Sequence, residues 1–530
     1  MIFNPLEEYE QKFKNLHLDN AKKRLDDLVK VSGVDIAENK KTVKEYTELK
    51  EKLSKIKKKF NLWRFLRVIM IITLVLIPLV IMKVTPKIRA FRTKIEQVLE
   101  KTNELLALAK KQMAPINSLF TDRDGLNLIE ETIPSLKFFP SFSFEQESDM
   151  IVNYDFYNEN VLDQSTIESL SGKYNENPFL FEKKLTHKMG IEVYHGYKTI
   201  TWTETYRGSD GKMHVRTRTQ TLHASVTKPK PFYSTQVVLN YCAQGGPELS
   251  FSRDATHLEQ KSDREIERYV KKGEKNLKRL TDKAISQNKN FMSMSNSDFE
   301  VLFDALDRTN EVQFRTLFTP LAQTNMVDLI RSQTGYGDDF NFIKRKRTNR
   351  ISTHHSQGRP LTLSANSYFS HSFDEIEKNF LYKNAEFFRA VYFDFAPLWA
   401  IPIYQERPAH SLRPIPEYSQ KYSCKEYESL SNIATSRLTH PSTKTNAILK
   451  ASFVDSKNGA DEITVTAYSY DIKKRVDFIP VFGGDGRMHS VPVPWDDYIP
   501  LEARNNCFVS ISDGTKENII AKRNNLCLYN

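Results

Sequence analysis

TITWTETYRGSDGKMHVRTRTQTLHASV, from Thr199 to Val226, places Ile200, Trp202, Glu204 and Tyr206 on one side of an alternating run and threonines on the other. A period of two is the mark of a half-buried strand. The return run alternates likewise, and the Gly-Ser-Asp-Gly-Lys between them predicts a hairpin with a glycine-rich turn. The phrase recurs: GSDGKMHV begins at Gly208 and GGDGRMHSVPVPW at Gly483. Asp-Gly supplies the positive φ of a type I′ turn or a bulge, because Gly has no Cβ and Asp tolerates the left-handed region. Alternation then sets Arg487 and His489 on one face and Met488 on the other, while Pro492 and Pro494 mark an edge strand. With Asp485 at the tip and His489 down the strand, the two read as turn punctuation and not as a ready-made ligand pair. The repeat predicts two β-meanders of similar design.

Working outward, TNAILKASFV, an Asn-Gly turn in SKNGAD, EITVTAYSY and RVDFIPVF lead up to the second turn as short strands. Helices enter with capping-box spacing at Ser262 and Glu265, and again at Ser297 and Glu300. The apolar AVYFDFAPLWAIPIY, interrupted by Asp394 and prolines, reads as a buried strand-and-loop core. At roughly 100–200 residues per domain the chain divides into several units. We place a β-rich subdomain with a basic helix at 116–290, a mixed subdomain at 291–420 and a C-terminal meander at 421–530.

Upstream, FLRVIMIITLVLIPLVIMKV from Phe65 to Val84 matches the ~20 apolar residues a helix needs to cross a bilayer. Trp63, Arg67 and Lys83 suit the interface. The expected fold class is therefore α+β: a heptad-patterned helical arm at 1–62, a single transmembrane helix at 63–84, a helical stalk at 85–115, then antiparallel β-meanders with inserted helices. In the arm, Asn4-Pro5 starts a strip of Leu6, Tyr9, Phe13, Leu25 and Leu28 that ends near Ser32-Gly33. Tyr46, Leu49, Leu53, Ile56 and Phe60, and beyond the run Ile88, Phe91, Ile95, Val98, Thr102 and Leu105, form seams that predict a helical hairpin, a coiled-coil oligomer or amphipathic helices lying on their own domain. The Lys/Arg flanks lean towards a cytoplasmic N-terminus, hence a single-pass protein of the cell membrane with an extracellular C-terminal region.

Within NSDFEVLFDALDRTNEVQFRTLFTPLAQTNMVDLI, the residues Phe299, Glu300, Phe303, Asp307, Glu311, Phe314, Leu317, Thr319, Pro320 and Leu329 make a pattern over about 298–330. It resembles the defining domain of an uncharacterised family of bacterial membrane proteins, a domain of unknown function. The resemblance implies membrane segments near the N-terminus and a soluble domain after them, and brings no activity.

A net charge of +11 favours anionic partners. Cys242, Cys424, Cys507 and Cys527 contain no CxxC pair, which argues against structural zinc. Cys507 and Cys527 pair in an oxidising compartment or else stay buried as thiols. Lys344 to Arg347, with Arg350, His354 and His355, is a dense cationic patch that reads as a solvated loop. No P-loop, GxGxxG, GxSxG, HExxH or nucleic-acid signature is present. His195, His214, His223, His371 and His489, with Asp338-Asp339 and Asp496-Asp497, are the chemistry-bearing residues, but the sequence assigns no catalytic residue, no metal ligand and no cofactor.

Two classes of function follow. One is a membrane-anchored binding or scaffolding module, self-associating through its heptad arms and engaging an anionic polymer or a protein. The other is a membrane-tethered, metal-dependent hydrolase of an envelope substrate, with Asp485 and His489 in its metal site.

Overall fold

The computed structural model describes residues 1–72, 80–157, 161–209, 211–258, 261–287, 291, 293–333, 335–408, 420–457 and 460–510. The chain forms two compact units, one of Met1–Leu6, Ser135–Leu361 and Phe393–Asn530, the other of Glu7–Pro134 and Thr362–Tyr392.

The first unit is built on antiparallel sheets. Strands β1 (Leu136–Phe138), β2 (Gln164–Tyr174), β3 (Asn177–Arg207), β4 (Met213–Cys242), β5 (Ser250–Arg253), β6 (Phe340–Arg345) and β7 (Thr348–Thr353) lie in the order β1-β2-β3-β4-β7-β6-β5. A three-stranded sheet has the order β10-β9-β8, from β8 (Ile448–Lys457), β9 (Ala460–Phe482) and β10 (Met488–Ser510). The expected hairpin at 199–226 is the far end of a much longer β3–β4 pairing that runs from Phe179↔Tyr241 to Arg207↔Met213. EITVTAYSY and RVDFIPVF are one continuous strand, β9, because β10 pairs with it along its whole length.

Both DG hairpins close in the same way. Gly208 N donates to Lys212 O at 2.9 Å and Gly211 N to Gly208 O at 3.0 Å; Gly483 N donates to Arg487 O at 2.8 Å and Gly486 N to Gly483 O at 3.0 Å. The positive φ falls on Gly211 (76°) and Gly486 (77°), the bulge form of the turn. With Gly483 and Arg487 as the hydrogen-bonded closing pair, Pro480↔Ser490, Phe478↔Pro492 and Val476↔Pro494 fall on non-hydrogen-bonded positions. Each proline's missing N–H therefore points away from the ladder, and β10 is an edge strand as its prolines predict.

The free end of β3–β4 packs face to face on β9–β10 through Ile200, Leu222, Ala224, Val491 and Val493. Burying such side chains stabilises by about 1.5–3 kcal/mol each for the larger ones. Gly196 is required at the closest approach, since a Cβ there would stand 2.1 Å from Pro492 O.

Helices complete this unit: α5 (Phe144–Tyr154), α6 (Asp263–Ser286), α7 (Ser297–Phe303), α8 (Glu311–Leu317), α9 (Pro320–Arg331) and α11 (Cys424–Asn432). The capping box at Ser262 and Glu265 forms as expected. At α7 the cap is Asn296, whose side chain accepts from Phe299 N at 3.1 Å, because Glu300 turns inward to pair with Arg308. AVYFDFAPLWAIPIY is not a strand: it begins in helix α10 (Phe373–Trp399), whose residues from Phe393 on belong to this unit, with Phe393, Phe395, Leu398 and Trp399 all buried. A helix buried on every side shows no helical period in its sequence.

The second unit is helical. Tyr9 and Phe13 are buried as expected, and α1 (Lys14–Ser32) stops at Gly33 with φ 62°. Helices α2 (Ile36–Ile72), α3 (Thr85–Asn117) and α4 (Asp124–Thr132) follow. Leu25, Leu28, Met113, Ile116, Phe120 and Phe380 centre the core. His17 is stacked on Phe388 at 4.1 Å, and burial pulls its imidazole down to about 4.

The expected single transmembrane helix at 63–84 is corrected. Among the described residues no helix is long and apolar enough to cross a membrane. The described parts of the run lie in two elements, with Phe65–Ile72 at the end of α2 and a π-helical turn, Val80–Val84, before α3; residues 73–79 lie outside the described residues. The elements run antiparallel: Gln112 donates to Thr42 at 3.1 Å, Lys87 sits 4.5 Å over the Trp63 ring, and Val84 and Ile88 pack on Phe60, Trp63 and Met70. Phe60 of the first heptad seam and Ile88 of the second meet in this contact. The membrane placement, with its cytoplasmic N-terminus and extracellular C-terminal region, rested on that span and loses its basis with it.

Candidate functional site

The densest convergence of buried charge lies where β2, β3 and β8 meet α11. Period two puts Glu182 and Lys184 of β3 on one face, beside Asn240 of β4, whose register partner on β7 is Arg350. Against them α11 presents Lys425 and Glu428, three residues apart and so on one side of the helix. The helix begins at Ser423, whose hydroxyl accepts from Glu426 N at 3.1 Å. Glu147 comes from α5 and Lys450 from β8.

Glu182 is the hub. Its Oε1 receives Lys425 Nζ at 2.5 Å, and its Oε2 receives Asn240 Nδ2 at 2.7 Å with Lys184 Nζ at 3.5 Å. Burial opposes its charge, but Lys184 and Lys425 outweigh that and hold the carboxyl down at about 2. Glu428 binds Lys450 Nζ at 3.0 Å and accepts Thr166 N at 2.8 Å, yet burial shifts its carboxyl upward. Burial also pushes Glu147 up to about 7, against the pull of Lys425.

Two clefts open on this network. The larger, about 150 Å³, is lined by Lys184, Lys425 and Lys450 against the one carboxylate Glu428, with Ser165, Thr166, Cys424 and Ser452 as polar neighbours. The smaller, about 40 Å³, shares Lys184 and Lys425 and adds Arg345 and Arg350, opposed by Asp155 and Glu182. Cations exceed anions in both linings, so the space favours an anionic guest.

A second cluster gathers residues noted from the sequence. His355 Nδ1 meets Asp339 Oδ2 at 2.6 Å and its Nε2 lies 3.4 Å from Asp394 Oδ1. Ser356 Oγ donates to Asp394 at 2.7 Å, Thr353 Oγ1 donates at 2.6 Å, and Arg359 also binds that carboxylate. Burial disfavours the imidazolium, but the hydrogen bonds to Asp339 and Asp394 prevail and hold it up at about 9. Both ring nitrogens face carboxylates and the serine donates to Asp394, so no imidazole stands ready to take the serine's proton. This arrangement is an ion-paired clamp. Asp338 turns the other way, to Arg253, Thr256 and Leu258 N.

The remaining candidates are dispersed. Lys344 is fully buried on β6 and donates to Gly245 O and Lys346 O, burial pulling its amine down to about 7, while Arg347 pairs with Asp155 at 2.7 Å. The cationic patch is thus the β6–β7 hairpin: Lys344 is packed inside it, while Arg345 and Lys346 stand exposed at its turn. Asp497 pairs with Arg475 at 2.6 Å. His371 stacks edge-on to Tyr46 at 5.5 Å in the helical unit. Asp485 and His489, read as separate, do meet: His489 Nε2 lies 2.9 Å from both carboxylate oxygens, because the bulge folds the tip back over the strand. Among the described residues no group of three or more His, Cys, Asp or Glu is placed to hold a metal ion. Cys242 and Cys507 are buried as free thiols; Cys527, and with it the alternative of a Cys507–Cys527 pair, lies outside the described residues.

Lys184, Lys425, Lys450, Glu147, Glu182 and Glu428 carried no motif. The one usable signal was a pair of charges, Glu182 and Lys184, at same-face positions inside the strand NPFLFEKKL. No family model matches the chain, and comparison with curated proteins and with solved structures returns no match.

Proposed function

We propose that the protein is a binding or scaffolding module that takes up an anionic group, a carboxylate or phosphate presented by a polymer or a protein, in the lysine-lined cleft beside α11. The observation that carries this reading is the set of three lysines in the lining beside the one lining carboxylate, Glu428; two of them, Lys184 and Lys425, are also held from behind by Glu182. Glu428, the carboxylate in this lining, is held by Lys450 at 3.0 Å and by Thr166 N at 2.8 Å, so it lies bound at the wall of the cleft. The lysines' hydrogen-bonded positions on strand and helix pre-orient them, which lowers the entropic cost of capture.

The test is titration of the full chain with inorganic phosphate, acetate and polyphosphate, followed by calorimetry and by thermal shift. Saturable binding of at least one, weakened about tenfold or more in Lys450→Ala, supports the reading. Binding that is absent, or equal in the wild type and in both Lys450→Ala and Ser452→Ala, overturns it.

A further inference from the structure

On the outward face of the β3–β4 ribbon, opposite the side that packs on β10, two histidines stand together. The register pairs His195 with Ser225 and Tyr197 with His223, so His195 and His223 are diagonal neighbours on one face. His195 Nδ1 lies 3.0 Å from His223 Nε2, with the rings 5.1 Å apart and 26° from parallel. Both residues are exposed. The ring of Tyr197 lies 5.0 Å from that of His223 and restricts its rotation.

We infer that His195 and His223 form a two-point chelate for a borderline divalent transition ion, Cu²⁺, Ni²⁺ or Zn²⁺. Two imidazole nitrogens bound to one ion at about 2.0–2.1 Å, at a tetrahedral angle, stand about 3.3 Å apart. The pair needs to open only slightly to reach that spacing. In the free chain this 3.0 Å contact is a hydrogen bond, one facing nitrogen carrying the proton; with the ion between them both rings hold their proton on the far nitrogen and each turns a neutral lone pair to the metal.

The backbone beneath is held in place. Gly196 lies against Pro492, and Leu222 and Ala224, which flank His223, are buried under Val491 and Val493. A slip of one residue would turn the histidines inward and the apolar residues outward, so core packing enforces the spacing of the pair. All-nitrogen donation excludes Ca²⁺ and Mg²⁺, which demand oxygen ligands. No group of three ligand-type side chains forms among the described residues, so the other coordination positions belong to solvent and the ion exchanges readily.

The experiment is calorimetric titration of the full chain with CuCl₂, NiCl₂, ZnCl₂ and MgCl₂, with Cu²⁺ electron paramagnetic resonance on the copper form. The expected result is one site that prefers Cu²⁺ over Ni²⁺, ignores Mg²⁺ and shows two nitrogen ligands. Affinity falls about tenfold or more in both His195→Ala and His223→Ala, since losing one donor ends the chelate. His489→Ala leaves this site unchanged. An absence of binding in the wild type, or undiminished affinity in either single variant, overturns the assignment. Because both side chains are exposed, the variants fold, which circular dichroism verifies.

Discussion

Strands β3 and β4 pass through two settings, and the same alternation serves opposite ends in each. From Asn177 to Thr186, β3 lies between β2 and β4 inside the wide sheet. There its even-numbered face turns towards α11 and buries Glu182 and Lys184. From His187 to Arg207 the strand has β4 alone as a hydrogen-bonded neighbour. There the even face carries Ile200 into an apolar contact with β10, while the odd face leaves His195, Tyr197 and a ladder of threonines, Thr199–Thr221 and Thr201–Thr219, in water. A strand's period decides which residues share a face. What lies over that face decides whether charge or hydrocarbon is tolerated there.

The strongest way to break this contrast is to remove the hub of the charged half. Glu182→Gln leaves Lys184 and Lys425 buried without their counter-charge, and urea denaturation at pH 7 should show a loss of about 3–5 kcal/mol. The acid limb sharpens the point. Glu182 titrates at about 2 in the folded chain against an ordinary 4.5, so its contribution is complete above 4.5 and is lost as pH falls towards 2. The wild type should therefore lose stability across that window more steeply than the variant.

The apolar half breaks sterically. Gly196→Val drives a side chain into the Pro492 carbonyl, and the cost should be about 3 kcal/mol by the same denaturation measurement, with tryptophan fluorescence reporting exposure of Trp202 and Trp495 as the ribbons part. The smallest effects belong to the turns. Gly211→Ala and Gly486→Ala each force a Cβ into the left-handed region and should each cost about 1 kcal/mol. Equal losses would show the two turns to be energetically as well as geometrically alike; a loss at only one would end that equivalence.

Much of the local architecture was readable from residues alone. Gly33 ended its helix, Ser262 and Glu265 formed their box, and both DG turns closed two long ribbons whose prolines fell on positions that need no N–H. The errors share a cause. Phe65–Val84 and AVYFDFAPLWAIPIY were read by apolar content, which reports that a segment avoids water and not what shields it. In the first, the described ends lie in two antiparallel elements; in the second, the last turns of a helix, residues 390–399, are buried at every position. Lys344 read as solvated because lysines usually are, and only the packed hairpin around Gly245 and Tyr404 removes it from water.

The sequence by itself determined the alternation of strands, the sites of turns and caps, and which side chains share a face, since these follow from backbone periods and from the steric freedom of Gly, Pro and Asp. The tertiary structure alone decided that Glu182, Lys184, Lys425, Glu428 and Lys450 converge on one cleft. The physical reason is that convergence depends on pairing between strands and helices hundreds of residues apart, and a charged side chain carries no local mark of the partner that will make its burial tolerable.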